Sequence, residues 1–338
     1  MSQLKSLKRL DLGGCNQLEI FPATVEHLET LSLQEAMTQV VPSSSVFNVA
    51  KIPDDICHLS SLETLRLDES NIEGIPVRIK NLSKLTELSI SLCKRLKSLP
   101  ELPLSLQLLD ASECISLETI SNSEDSLTQG LKSGNHVLTY RRFFYADCVK
   151  LDQNSRNSIV SEFQLRALDT GTKSLLPYNV LKISNYPGVG ISCLGNEIPN
   201  WFPYQSNSCS LNVELSSDWQ NTKFLGFALC AVVAENRDWA FQLTCEGKFK
   251  TKYGKVWKLL LDFSHVVYNN MLNFSNMFMW YVHVNYHDYH DAVKASFRFI
   301  NVLDAEAEDE VEVEESKVTA CGIRLLYLQD AEELGIHQ

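Results

Sequence analysis

The chain has no apolar run of about 18 residues, the length a membrane-spanning helix requires, so no membrane span is expected. Its ten cysteines include no Cys-x-x-Cys pair, which removes the common zinc and thioredoxin-like readings. No Gly-x-x-x-x-Gly-Lys-Ser/Thr loop is present to cradle phosphates, and the stretch GLKSGNHV at 130–137 lacks both the spacing and the ending. No Gly-x-Ser-x-Gly elbow presents a nucleophilic serine. The first residues hold no charged segment leading into an apolar stretch, so no secretory signal is expected. Positive charge is also short. Thirty Lys and Arg against 42 Asp and Glu leave a formal net charge of −12, which argues against a nucleic-acid backbone as the main partner. What remains is a chain of 338 residues, 44% hydrophobic, long enough for two domains of ordinary size.

Leucine at fixed spacing is what the chain has in quantity. The phrase L-x-x-L-x-(L/I/A)-x-x-(C/A/S) occurs as LKRLDLGGC from Leu7, LETLSLQEA from Leu28, LETLRLDES from Leu62, LTELSISLC from Leu85 and LQLLDASEC from Leu106. The middle leucines, Leu10, Leu31, Leu65, Leu88 and Leu109, lie 21, 34, 23 and 21 residues apart. The long step holds a polar insertion, PSSSVFNVA at 42–50. This period is that of leucine-rich repeats, in which each coil gives one short strand and needs its neighbour to bury the leucine stripe.

Side chains alternate along a strand, so residues between the leucines face outward, onto the concave side of such a solenoid. Those positions are Arg9, Asp11 and Gly13, then Thr30, Ser32 and Gln34, then Thr64, Arg66 and Asp68. Two further sets follow, Glu87, Ser89 and Ser91, then Leu108, Asp110 and Ser112. They are mostly polar, mixed in sign and different from repeat to repeat, as a recognition surface requires. The competing reading is that they are simply solvated.

Cys15, Cys93 and Cys114 share one inward slot, and Cys230 sits in the apolar run FLGFALCAVVA, so reduced structural thiols in the cytoplasm or nucleus are expected. The sequons at Asn81 and Asn273 are then chance. The repeats are expected to stop near Ile120, followed by the polar stretch SNSEDSLTQGLKSGNH and a helix from about Asp152 to Leu168 that caps the last coil. From about Tyr186 short strands follow one another: LNVEL, FLGFALCAVVA, FQLTC, VWKLLLDF, MWYVHVNY, VKASFRFINV and CGIRLLYL. Strands without helices between them point to an antiparallel sandwich. The acidic run DAEAEDEVEVEE at 304–315 reads as a solvated hairpin loop. His283, His287 and His290 would share a helix face, but the alternation leading into them is that of a strand, so no metal site and no cofactor is expected. Trp201, Phe202 and Trp219 read as core before they read as a binding patch.

Four segments carry a family resemblance. ELPLSLQLLDASECISLETI resembles the last repeat of plant TIR-type nucleotide-binding leucine-rich-repeat immune receptors, and FFYADCVKLDQNSRNSIV resembles the segment after it. CLGNEIPNWFPYQSNSCSLNVELSSDWQNTKFLGFALCAVV resembles the opening of that family's post-repeat domain, C-JID, and CGIRLLYLQD its closing strand. The family's usual Pro-Gly before Ser-Glu-Ile-Pro is here Leu194-Gly195-Asn196-Glu197-Ile198-Pro199, a change expected to alter one turn only. The resemblance implies an α/β leucine-rich-repeat solenoid over 1–122, a connecting and capping segment with a helix over 123–185, and an all-β jelly-roll/Ig-like sandwich (C-JID) over 186–338.

It also implies a module that recognises a protein ligand, a pathogen effector or a host protein. The repeat face and loops of the post-repeat domain would make the contacts. The catalytic TIR and nucleotide-binding segments are not in this sequence, so no enzyme activity and no oligomer are expected of it. A secreted or free-standing repeat protein acting as inhibitor, co-receptor or decoy is the alternative; it calls for a signal sequence and paired cysteines.

Overall fold

A computed structural model describes residues 8–11, 27–32, 52, 54–121, 128, 140–175, 188–217, 219, 223–235, 240–241, 243–263, 267–268, 273–284, 291–301 and 317–336. The chain divides into two compact units, Met1–Gly130 with Arg141–Ile159, and Leu131–Tyr140 with Val160–Gln338.

In the first unit the strands are short: β1 (Arg9–Asp11), β2 (Thr30–Ser32), β3 (Thr64–Arg66), β4 (Glu87–Ser89), β5 (Ser98–Leu99), β6 (Leu108–Asp110), β7 (Thr119–Ile120) and β8 (Arg141–Tyr145). Strands β1, β2, β3, β4, β6 and β8 pair in parallel in that order, with Leu10, Leu31, Leu65, Leu88, Leu109 and Phe143 in register. Strands β5 and β7 make a second, two-stranded parallel sheet. Leu31, Leu65, Leu88 and Leu109 are fully buried, and burying each side chain stabilises by about 1.5–3 kcal/mol. Short 3-10 turns at Asp54–His58 and Val77–Asn81 add buried Ile56 and Ile79 to the same core.

The ladder does not stop near Ile120, and that expectation is corrected. Strand β8 adds a sixth coil, in which Phe143, Tyr145, Cys148 and Leu151 fall on the spacing L-x-L-x-x-C-x-x-L. Aromatic rings replace leucines there, and Phe143 follows Leu109 by 34 residues, the same step that separates Leu65 from Leu31. Both differences hide the coil from a search for leucine. Four successive coils also turn through a left-handed residue one place before the slot: Glu69, Leu92, Glu113 and Asp147, with φ of 57 to 59°. Such a conformation is uncommon outside glycine. Three of the four N–H groups are then taken by the next coil, Glu69 by the Ser91 carbonyl, Leu92 by Ser112 and Glu113 by Ala146.

The long helix α1 (Gln153–Ser174) starts where expected and runs six residues past Leu168. Asp152 caps it by accepting the Ser155 N–H at 2.7 Å, which holds the Asp152 carboxyl below its usual range. The division between the units falls inside this helix, at Ile159 and Val160. Its first turn belongs to the repeat unit, where the Ile120 N–H donates to Ser155 Oγ at 3.0 Å and the Asp152 N–H donates to the Glu118 carbonyl at 2.9 Å.

In the second unit the strands are β9 (Val189–Leu194), β10 (Tyr204–Ser206), β11 (Ser210–Glu214), β12 (Phe224–Val233), β13 (Ala240–Phe241), β14 (Leu243–Thr251), β15 (Val256–Asp262), β16 (Val267–Tyr268), β17 (Asn276–Val282), β18 (Ala292–Asn301) and β19 (Val318–Tyr327), closed by a short helix α2 (Leu328–Glu333). One antiparallel sheet has the order β9-β17-β12-β19-β10, another β11-β18-β14-β15, and β13 pairs with β16. The inner faces of the two larger sheets meet through Phe227 of β12, 5.8 Å from Phe249 of β14 and 5.6 Å from Phe297 of β18. Strand β12 lies between β17 and β19, and all ten of its residues are buried, which is why it reads as one apolar run. Strand β11, toward the outside, keeps strict alternation.

Candidate recognition surface

The register lines the outward positions of the ladder into rows. Arg9, Thr30, Thr64, Glu87, Leu108 and Arg142 form one row, and Asp11, Ser32, Arg66, Ser89, Asp110 and Phe144 the next. Arg9, Asp11 and Arg66 are exposed, whereas Thr30, Ser32, Thr64, Asp68, Glu87, Ser89, Ser91, Leu108 and Asp110 are half-buried. Gly13 and Gln34, also expected here, lie outside the described residues. Ser112 is a correction. It is only 3% exposed, because its N–H goes to Asp110 Oδ1 at 3.0 Å and its carbonyl to the Leu92 N–H at 2.9 Å. The sixth coil adds Arg142, which is buried, and Phe144, which is half-buried.

These side chains hold one another across coils. Arg66 donates to Glu87 Oε1 from Nη2 at 2.8 Å and from Nε at 3.2 Å. Asp68 Oδ1 accepts from the Ser91 N–H at 3.0 Å, from Ser91 Oγ at 2.9 Å and from Ser89 Oγ. A carboxylate that gathers three donors is fixed in place, and with it the rotamers of both serines. Arg66 and Glu87 remain 49% and 26% exposed at the side chain, so an incoming group can still reach them. Near the first strands Lys8 pairs with Glu29 at 2.8 Å in the same coil-to-coil manner. The face therefore offers the Asp68 carboxylate and the Ser89 and Ser91 hydroxyls held in place, beside the Arg66–Glu87 ion pair.

The slot beneath the face is explained by hydrogen bonding. The Cys93, Cys114 and Cys148 thiols each donate to a carbonyl of the preceding coil, Leu67, Ile90 and Ala111, at 3.2, 3.1 and 3.2 Å. Ser70 occupies the same slot one coil earlier, with its Oγ 3.3 Å from Cys93 Sγ.

The other sequence candidates are structural. Phe202 and Trp219 are buried, Trp219 stacking on Phe249 at 5.8 Å. Trp201 is half-buried between Phe163 at 5.9 Å and the Arg324 guanidinium at 5.0 Å. His283 Nδ1 lies 2.9 Å from the Leu225 carbonyl and 3.0 Å from Ser174 Oγ, and burial pushes its pKa down. His287, His290 and the acidic run lie outside the described residues. Among the described residues no cluster of His, Cys, Asp and Glu could hold a metal, and no helix is long and apolar enough to cross a membrane.

A parallel ladder of leucine coils in the first unit and two facing antiparallel sheets in the second define a β-rich, repeat-containing class of protein. Residues 193–332 match the C-JID domain family. Over 98% of this chain and 31% of the relative, the sequence is 29% identical to disease resistance-like protein DSC1 of Arabidopsis thaliana. It is 30% identical to disease resistance protein RPP2B of the same plant, over 84% of this chain and 24% of the relative. The chain thus spans less than a third of the length of either. A solved structure, the leucine-rich repeat domain of the type III effector XopL, aligns over 45% of this chain and 60% of that one at 21% identity and a TM-score of 0.30, too loosely to add to the case. The chain is a homologue, over most of its length, of plant TIR-NBS-LRR disease resistance proteins and carries their C-JID domain.

Proposed function

We propose that this chain is the ligand-recognition part of a plant immune receptor, seating a pathogen effector or a modified host protein on the outward face of its repeats. The jelly-roll form of the second unit and an action without catalysis belong to the same reading, as does the absence of nucleic acid from the contact. One observation carries it. The leucine framework repeats while the set of side chains above it changes from coil to coil, yet Arg66 is held by Glu87, and Asp68 by Ser89 and Ser91. A surface fixed before binding loses little entropy on contact.

The test is an interaction screen of the whole chain against pathogen effectors and host proteins, repeated with Arg66→Glu and Glu87→Lys. Each reversal is expected to weaken a partner found on this face by about 5- to 150-fold, equivalent to about 1–3 kcal/mol. Circular dichroism should be unchanged, because an exposed ion pair contributes at most about 1 kcal/mol to stability. Unchanged affinity in both variants would remove the ladder face as the seat.

A further inference from the structure

Among the described residues the four-stranded sheet ends on β15, and no described strand pairs with the far side of its backbone. In an antiparallel ladder, opposed residues that exchange both hydrogen bonds alternate with opposed residues that exchange none. The Thr251 N–H donates to the Lys255 carbonyl at 2.8 Å, and the Phe263 N–H donates to the Leu243 carbonyl at 3.0 Å, which fixes the phase at both ends of the hairpin. In the intervening register, Lys250↔Val256, Lys248↔Lys258 and Glu246↔Leu260 are then the pairs that exchange none. The N–H and C=O groups of Val256, Lys258 and Leu260 point away from β14, and no strand among the described residues lies on that side. Their side chains share the outer face of the sheet, with Val256 51% and Leu260 57% exposed and the Lys258 side chain 69% exposed. Tyr253, at the adjoining turn, is 79% exposed. An open edge with apolar side chains beside it is the template for strand addition.

Charge selects the occupant. Lys248, Lys250, Lys252, Lys255 and Lys258 gather at this edge against Glu246 and Asp262, a positive region on a chain of net charge −12. Glu246 meets Lys248 at 3.2 Å and Lys258 at 3.7 Å, while the Lys255 ammonium sits 3.6 Å over the Trp257 ring. A second copy would bring the same lysines to the same edge, and like charges placed opposite one another destabilise a strand pair. A phosphate backbone would satisfy the lysines but would leave Val256, Leu260 and the open amides and carbonyls without complement.

We propose that β15 is a docking edge for an extended acidic segment of a partner protein, which adds as a fifth strand to the four-stranded sheet. On the outer face such a segment presents an apolar, an acidic and an apolar side chain at alternate positions, opposite Val256, Lys258 and Leu260. The proposal concerns residues of the second unit alone and does not rest on the ladder-face reading.

The probe is a labelled, end-capped peptide, Glu-Val-Glu-Glu-Glu-Val-Glu, titrated against the whole chain by fluorescence anisotropy beside its Lys-Val-Lys-Lys-Lys-Val-Lys counterpart. The acidic peptide is expected to bind, to weaken as salt is raised, and to slow amide exchange at Val256, Lys258 and Leu260. Lys258→Pro removes an N–H that β14 does not use, a substitution edge strands tolerate, and should weaken binding at least about tenfold. Lys258→Glu should weaken it as well without touching the backbone. A version of the peptide N-methylated at alternate amides should not bind the unaltered protein, which keeps the test sound if Lys258→Pro fails to fold. No binding of the acidic peptide, equal binding of the basic one, or equal binding of the N-methylated one overturns the proposal. Full displacement by a short single-stranded oligonucleotide that binds more tightly would instead make this edge a simple cation patch.

Discussion

Burial decides which cysteines and histidines this chain can use. Cys230 and Cys245 are fully buried and their thiols are pushed well up, while burial pushes the Cys321 thiol up to about 12. The thiolate is the reactive form. Access sets the order as well. The Cys93 thiol is held down by its hydrogen bond to Cys114 and the Cys57 thiol is pushed up by burial, yet Cys93 is enclosed. Among the described cysteines, the half-buried Cys57 and Cys209 should therefore be alkylated in the native protein well before Cys93, Cys114, Cys148, Cys193, Cys230, Cys245 and Cys321. Mass spectrometry of timed iodoacetamide labelling checks the order, and early modification of Cys230 would contradict it. His283 gives a pH dependence with a definite sign. Burial lowers its pKa below 6.5, so the folded state prefers the neutral ring. The stability this contributes is complete above pH 6.5 and is lost as pH falls through the folded pKa, because the unfolded chain takes up the proton first. In His283→Asn, unfolding free energy should fall less between pH 7.5 and 5 than in the parent chain; parallel curves would show that His283 does not titrate this way.

At the scale of elements, β12 is the strand on which the second unit depends. It has a neighbour on each side, and Gly226 within it adopts φ of 146°, beside a register shift in its pairing with β19. A Cβ at this position would meet the Val282 carbonyl oxygen at 2.4 Å and the Tyr281 ring at 2.9 Å. Gly226→Ala combines that clash with an unfavourable backbone region, so a loss of about 2–4 kcal/mol is expected. Urea unfolding of the variant measures it, and a loss below about 1 kcal/mol would mean that the strand relaxes around the methyl group. The repeat coils follow a different rule. Each contributes a short strand, three residues in the leucine coils and five in the sixth, and leans on the coils beside it, which is why a sixth coil with aromatic side chains can join a ladder built on leucine.

The whole molecule carries a net charge of −12 at neutral pH and a pI near 5.2. Self-repulsion of that size loosens the folded state, and salt screens it, since the Debye length falls from about 30 Å at 0.01 M to about 8 Å at 0.15 M. Raising NaCl over that range at pH 7 should therefore raise Tm, and solubility should be lowest close to pH 5.2. A Tm that falls with salt would mean that exposed pairs such as Arg66–Glu87, Lys80–Glu101 and Lys294–Glu214 outweigh the repulsion. Calorimetry at two ionic strengths separates the two cases.

The sequence by itself determined the five leucine coils, the positions between the leucines, the start of the long helix and most strands of the second unit. Those features rest on local periodicity, and periodicity is written in the order of residues. Only the tertiary structure decided the rest. It placed Phe143 and Tyr145 in leucine slots, because a slot is defined by the volume its neighbours leave and rings can fill it. It withdrew Ser112 from the outward face, because the chain turns inward where Asp110 and Leu92 take its backbone groups. It joined Arg66 to Glu87 and Asp68 to Ser89 and Ser91, residues 21 to 23 positions apart whose contact depends on the rise from one coil to the next. It also left β15 at a sheet edge, which the apolar run VWKLLLD does not reveal, because edge and centre differ only in what lies alongside.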